Sequence, residues 1–279
     1  MPGTYTSTQD GHVVNMLGKE VWLHSSNGPE VTIIDGEGER RGIACFNGES
    51  NKTHIEGFTI KNGYSVNFIY SDEWGYANDS GGGILIANSS PSFTSCHIIE
   101  NTSPNIPKDK WSSGIGGGVH CSGNSPHNFS RFTNCIISDN TAEHGAGFGC
   151  WYGNNGPILN NCIIQNNIAS NDGGGIQINN SGATMMNSTI CGNYPNQIDE
   201  GIGGVSDEGG NFVGAICPNP GICCTNDTCV VSQQEDCLAF FGQWLGEGTT
   251  CVDNSCPTTC LGDITGDGVV DVSDLLVVI

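Results

Sequence analysis

The heptapeptide NCIISDN at positions 134–140 returns almost unchanged as NCIIQNN at positions 161–167. Weaker copies extend the series. Aligned on the cysteine, Gly57, Cys96, Cys135, Cys162 and Ser188 are each followed five residues later by an asparagine: Asn62, Asn101, Asn140, Asn167 and Asn193. Two residues after each member stand Thr59, Ile98, Ile137, Ile164 and Ile190, on one side of an extended strand. A second phrase keeps step with the first: GGGILI from Gly81, GGGVHC from Gly116, GAGFGC from Gly145 and GGGIQI from Gly173. The first and third residues after each glycine run, such as Ile84 with Ile86 or Phe148 with Cys150, repeat the period of two. Glycine runs beside short strands fit sharp corners that other residues resist.

Strand and corner recur every 26 to 39 residues, too short a unit to bury a core by itself. The spacing predicts turns stacked about 4.8 Å apart, so that equivalent positions form ladders of Cys, Ile and Asn. An inward corner asparagine then serves the structure, bonding backbone groups that the corner leaves unpaired and the asparagine of the next turn. These residues resemble right-handed parallel β-helix repeat proteins of the pectate-lyase-like superfamily. The resemblance covers roughly residues 10–216, with earlier turns in VWLHSS, VTIIDG and IACFNG and a closing turn in NYPNQIDEG and GGNFV. It implies an all-β, three-faced parallel coil, a solenoid whose handedness comes from the family.

Two insertions, GYSVNFIYSDEWGYANDS after Asn62 and TSPNIPKDKWSSGI after Asn101, fall at the same corner of consecutive turns. They concentrate Tyr64, Phe68, Tyr70, Trp74, Tyr76 and Trp111 in a chain that is only 8% aromatic. Exposed rings stack on sugars, which makes Tyr64, Tyr70, Trp74, Tyr76 and Trp111 the candidate carbohydrate-binding residues, with Asp72, Glu73, Lys108 and Lys110 to bond hydroxyls. The competing reading packs the two loops against each other. Trp151 and Tyr152 end another strand and are secondary candidates.

Catalytic residues are not legible. Asp139, Asp172 and Glu143 lie scattered at corners, the paired aspartates of the polygalacturonase-like branch are absent as strings, and Arg131 with Asp139 is the remaining lyase pair. No histidine forms HExxH and no serine sits in a GxSxG elbow. SGIGGG and GAGFGC lack the Lys-Ser/Thr ending of a phosphate loop. With 8 Lys plus Arg against 29 Asp plus Glu, the formal charge is −21, which excludes nucleic acid as a partner and favours cations.

Composition changes at Cys217. Residues 217–260 hold eight cysteines, Cys217, Cys223, Cys224, Cys229, Cys237, Cys251, Cys256 and Cys260, with little apolar material. A disulfide-knit module in an oxidising compartment is expected, because two CxxC pairs for zinc are missing. The string ICCTNDTCVVSQQEDCLAFFGQWLGEGTTCVDNSC resembles cysteine-rich modules near the ends of secreted bacterial proteins. Residues 261–279 contain a calcium-type loop: Asp263 is first, Thr265 third, Asp267 fifth, Gly268 sixth, Val269 seventh through its carbonyl, Asp271 ninth and Asp274 twelfth. Asp at the twelfth position followed by DLLVVI resembles a single dockerin repeat, which implies a cohesin-type partner; Thr265 replaces the usual Asn or Asp. No run of eighteen apolar residues is present, so no membrane span is expected, and no signal peptide is visible. The opening MPGTYTSTQDG reads as strand and turn, and DLLVVI stops inside an apolar helical pattern, so a chain trimmed at both ends is expected.

The combined expectation is a β-helix over 1–216, a cysteine-rich module over 217–260 and a calcium loop with helix over 261–279. As a whole it is a secreted or surface-attached protein that binds polysaccharide. The alternatives are a polysaccharide lyase or glycoside hydrolase on the same coil, and a spacer without ligand. Calorimetric titration is expected to reveal one calcium site per chain that disappears in the Asp263→Ala, Asp274→Ala double variant; saturable calcium uptake surviving both changes would contradict the loop.

Overall fold

The computed structural model of the protein describes residues 1–7, 11–65, 80–104, 114–123, 130–152, 156–217, 221–225, 228–232 and 243–247. Two compact units, Met1–Cys217 and Pro218–Ile279, divide the chain. Among the described residues of the first unit every named strand pairing is parallel and no helix occurs. Successive strands visit three long sheets in rotation, with a short fourth sheet interposed after the first in some turns. This all-β arrangement is compatible with a parallel β-helix.

The first sheet runs from Gly3–Tyr5 through Thr32–Asp35, Thr59–Lys61, His97–Ile99, Ile136–Ser138, Ile163–Gln165 and Thr189–Cys191 to Phe212–Gly214. Its inward row is aliphatic from Ile34 through Ile60, Ile98, Ile137, Ile164 and Ile190, all in register, with the exposed Tyr5 and Val213 at its two ends. The second sheet contains Arg41–Cys45, Ile84–Ala87, Val119–Ser122, Phe148–Trp151 and Ile176–Asn179, paired as the glycine phrases predict. In the third, Leu23, Ile55, Phe93, Phe132 and Leu159 form the inward row, and the rings of Phe93 and Phe132 stack with centroids 4.9 Å apart. Side chains from all three sheets meet in one buried apolar cluster.

The corner asparagines lock this stack. Asn140 Oδ1 accepts from the backbone N–H and Nδ2 of Asn101, both at 3.0 Å, while Asn140 Nδ2 donates to Ile98 O at 3.0 Å and Asn167 Oδ1 at 2.9 Å. Asn167 and Asn193 repeat the pattern, and Gln197 Oε1 receives the last bonds. Gly118 lies against this ladder: a Cβ there would meet Gly147 O at 2.8 Å and Asn140 Nδ2 at 2.9 Å, which explains the last glycine of the phrase. Gly116, with φ of 66°, makes the corner that precedes it.

One alignment needs correction. Thr59 pairs with His97 and Ile60 with Ile98, so Gly63, rather than Asn62, is the counterpart of Asn101, and its N–H donates to Asn101 Oδ1 at 2.8 Å. Asn62 instead takes the left-handed corner position shared with Glu100 and Asp139, and donates to Asp35. The cysteines of the first ladder are free thiols that act as small hydrogen-bond donors. Cys96, Cys135 and Cys162 Sγ reach the carbonyls of Thr94, Thr133 and Asn160, as Ser188 Oγ does to Met186.

Cys217 also departs from expectation. It bonds to Cys191 in Thr189–Cys191, the last but one strand of the first sheet, with Cα atoms 4.8 Å apart, and so fastens to the first unit instead of joining the tail module. In the second unit Gly221–Thr225 pairs antiparallel with both Thr228–Ser232 and Gln243–Glu247, placing Cys223, Cys224 and Cys229 on strands. Cys237, Cys251, Cys256 and Cys260 and the whole loop from Asp263 to Asp274 lie outside the described residues. No helix among the described residues is long and apolar enough to cross a membrane.

Asn140→Ala strands the Asn101 N–H without a partner, takes the second donor from the Ile98 carbonyl, and is expected to cost about 3 kcal/mol. Cys135→Ser keeps a donor where Ser188 already shows one fits, and is expected to cost about 1 kcal/mol. Urea unfolding of the two variants checks the order; a Cys135→Ser loss as large as that of Asn140→Ala would contradict it.

Candidate functional site

The short fourth sheet consists of Thr102–Ser103, Thr141–His144 and Ile168–Asp172, extended at either end by bridges from Tyr64 to Thr102 and from Ile168 to Tyr194. Each of these five, Tyr64, Thr102, Thr141, Ile168 and Tyr194, directly follows a corner position, Gly63, Asn101, Asn140, Asn167 or Asn193. Because the corner residue points inward, the next one points out. Ser65 and Ser103, one residue further, return to the interior and share a hydrogen bond of 3.0 Å. The outward ladder spans four strand spacings, about 19 Å. Ile168 is 53% exposed and Tyr194 65% exposed, and Thr102 and Thr141 share a hydroxyl bond of 3.0 Å.

At the Tyr64 end lies an open pocket of about 420 Å³ walled by Asp35, Glu37, Gly38, Asn62, Gly63, Tyr64, Glu100 and Thr102. Its carboxylates accept hydrogen bonds, no Lys or Arg is among its described lining residues, and Arg40 pairs with Glu37 in its wall, leaving Asp35 and Glu100 in excess. Such a cavity suits a neutral ligand rich in hydroxyls and repels an anionic one.

Beyond the ladder the fourth sheet meets the second in a polar seam. A register shift between Ala142 and His144 sets His144 opposite Asp172. His144 Nδ1 lies 3.1 Å from Asp172 Oδ1, and Asn171 Nδ2 donates to Glu143 Oε1 at 3.0 Å. Trp151 Nε1 donates to Gln177 Oε1 at 2.7 Å, and Gln177 Nε2 in turn reaches Asp199 Oδ2 at 3.3 Å. Trp151 is buried, so its indole supports the seam from beneath, while Tyr152 beside it is half-buried. The histidine and carboxylate can exchange a proton with a bound hydroxyl. Glu143 and Asp172, scattered in the sequence, are therefore neighbours of one histidine.

Of the sequence-derived carbohydrate residues, Tyr64 lines the pocket. Tyr70, Trp74, Tyr76 and Trp111 lie outside the described residues. Arg131 and Asp139 are not brought together. Arg131 is on the third sheet in Arg131–Thr133, Asp139 is at the corner that leaves the first sheet, and neither joins an ion pair among the described residues. Thr141, Ile168 and Tyr194 were missed, although the residue after each repeated asparagine is a position readable from the repeat. No group of three or more His, Cys, Asp or Glu side chains among the described residues is placed to hold a metal ion.

His120, on the outer side of the second sheet, differs from His144: it is fully buried, and among the described residues its ring makes no well-formed hydrogen bond, only an approach to the Gly149 backbone. Burial, with the Arg41 guanidinium adding to it, lowers its pKa to about 3. An imidazole held neutral in the fold but free to protonate when unfolded supports stability above about pH 6.5, and that support is lost as pH falls toward 3. Between pH 7 and pH 4 the loss attributable to His120 is expected to be about 3 kcal/mol. His120→Leu should flatten the acid limb of stability against pH in urea unfolding; an unchanged slope would contradict the assignment. Comparison of the chain with protein-family models, curated proteins and solved structures finds no match.

Proposed function

We propose that the protein is a secreted or surface-attached right-handed β-helix of the pectate-lyase-like kind that binds neutral polysaccharide along the outer face of the short fourth sheet. The observation that carries this reading is the in-register ladder from Tyr64 to Tyr194 with the acidic pocket at its Tyr64 end. Rings at the two ends stack on sugar faces, threonines and carboxylates between and beside them bond hydroxyls, and the elongated shape suits a polymer. A net charge of −21 disfavours uronate or sulfated chains. The Cys191–Cys217 disulfide supports an oxidising, extracellular setting. The tail then anchors the protein through calcium held by Asp263, Thr265, Asp267, Val269, Asp271 and Asp274, presenting a dockerin-like surface to a cohesin-type partner.

His144 with Asp172 and Glu143 favours a second reading in which a bound polymer is also cleaved, by hydrolysis where it is neutral and by elimination only where a uronate carboxyl acidifies the proton removed. Affinity electrophoresis through hydroxyethylcellulose, mixed-linkage β-glucan and polygalacturonate tests the first reading, and assay of new unsaturated or reducing ends tests the second. Retardation is expected in the neutral gels alone, and Tyr64→Ala with Tyr194→Ala should weaken it about tenfold, some 1.4 kcal/mol. Retardation only by polygalacturonate, or in no gel, would overturn the reading.

A further inference from the structure

Trp22 opens the outer row of the third sheet and is 62% exposed. Its ring is nonetheless held in one pose. The indole Nε1 donates to Glu56 Oε2 at 3.0 Å, the His24 ring stacks on it with centroids 4.2 Å apart and planes 27° apart, and the His54 ring meets it edge-on at 6.4 Å. Leu23, the residue between Trp22 and His24, faces the core, so the indole is surplus to it. A large ring kept fixed in water contributes little to folding, whereas a ligand stacking on it forfeits little ring entropy.

The row continues as a polar strip. Trp22, His54, Ser92 and Arg131 stand in register on adjacent strands, and beside them His24, Glu56, Thr94 and Thr133 form a parallel row. Arg131, exposed and outside every ion pair among the described residues, lies three strand spacings from Trp22, about 14 Å. A flat strip with an aromatic platform at one end, hydroxyls along it and a guanidinium at the other fits several successive pyranose units better than one. The fourth sheet follows the first in the rotation of strands and the third follows the second, so the Trp22 strip and the Tyr64 ladder belong to different faces.

We propose that the outer face of the third sheet is a second, independent binding face for neutral polysaccharide, with Trp22 as its platform, so that one chain bridges two polymer strands. The ligand class rests on the reading of the Tyr64 face given above; the site itself rests on the Trp22 geometry. The two faces are separable because neither includes a residue of the other.

Four full-length chains test this with hydroxyethylcellulose as the probe: the parent, Trp22→Ala, Tyr64→Ala with Tyr194→Ala, and the triple variant, each checked for an unchanged thermal melt. Gel retardation reads binding and light scattering of dilute polymer reads bridging. The parent should be retarded and should raise the scattering. Trp22→Ala should remain retarded without raising it. The double tyrosine variant should remain retarded, and the triple variant should lose at least tenfold in affinity relative to that double variant. Trp22→Phe, which keeps a stacking ring, should restore bridging. A double tyrosine variant that is no longer retarded while the parent is, or a Trp22→Ala chain that bridges as well as the parent, overturns the second face and leaves the Tyr64 reading standing. A parent that is not retarded overturns both.

Discussion

The asparagine ladder is the interaction on which the rest of the first unit depends. Parallel strands in successive turns can slide along one another, and a slip of one residue would turn the isoleucine row of the first sheet outward. Asn101, Asn140, Asn167 and Asn193 remove that freedom. Each joins backbone groups of two turns and the next amide side chain, with bonds between 2.8 and 3.1 Å. In a dry corner these amides have no water to fall back on, so the register with every bond made is strongly preferred over any with bonds broken. The last glycine of each glycine phrase leaves room for the amide, and the isoleucines two residues after each ladder cysteine fill the interior beside it.

Function inherits its geometry from the same constraint. Once the asparagine is fixed inward, the residue after it is fixed outward, and stacked turns place these residues in line. Tyr64, Thr102, Thr141, Ile168 and Tyr194 thus become one surface although they are far apart in sequence. The Trp22 strip arises in the same way from the third sheet, where Leu23, Ile55, Phe93 and Phe132 anchor the inner side. A scaffold that pins every turn to its neighbour would offer the proposed polymer preorganised faces at small entropic cost.

Repetition made much of this legible in the sequence. The glycine phrases, the isoleucine row from Ile98 to Ile190 and the ladder from Asn101 to Asn193 stand where their spacing puts them, because each position is defined by a like residue above and below. Legibility failed where a turn breaks step. Matching Asn62 to Asn101 starts the count one residue early, because Phe58 stands where the later turns carry the ladder cysteine; Gly63 fills the asparagine's place, and its N–H still donates to the ladder. Glu143 and Asp172 gave no sign of converging because a bulge in the fourth sheet, which no residue pattern marks, brings His144 opposite Asp172. Counting alone could not assign Cys217, since an even set of eight hides a partner outside it, Cys191.

The central claim is that the ladder of corners defines an outward face that holds a neutral polymer. Its most direct test is nuclear magnetic resonance of the isotopically labelled protein titrated with a neutral gluco-oligosaccharide. Shift changes are predicted to follow the residues after each corner, Tyr64, Thr102, Thr141, Ile168 and Tyr194, while the side-chain amides of Asn101, Asn140 and Asn167 stay protected from solvent exchange throughout. Saturable shifts confined to residues away from that row, or corner amides that exchange as freely as those of the exposed Asn134 and Asn161, would contradict it.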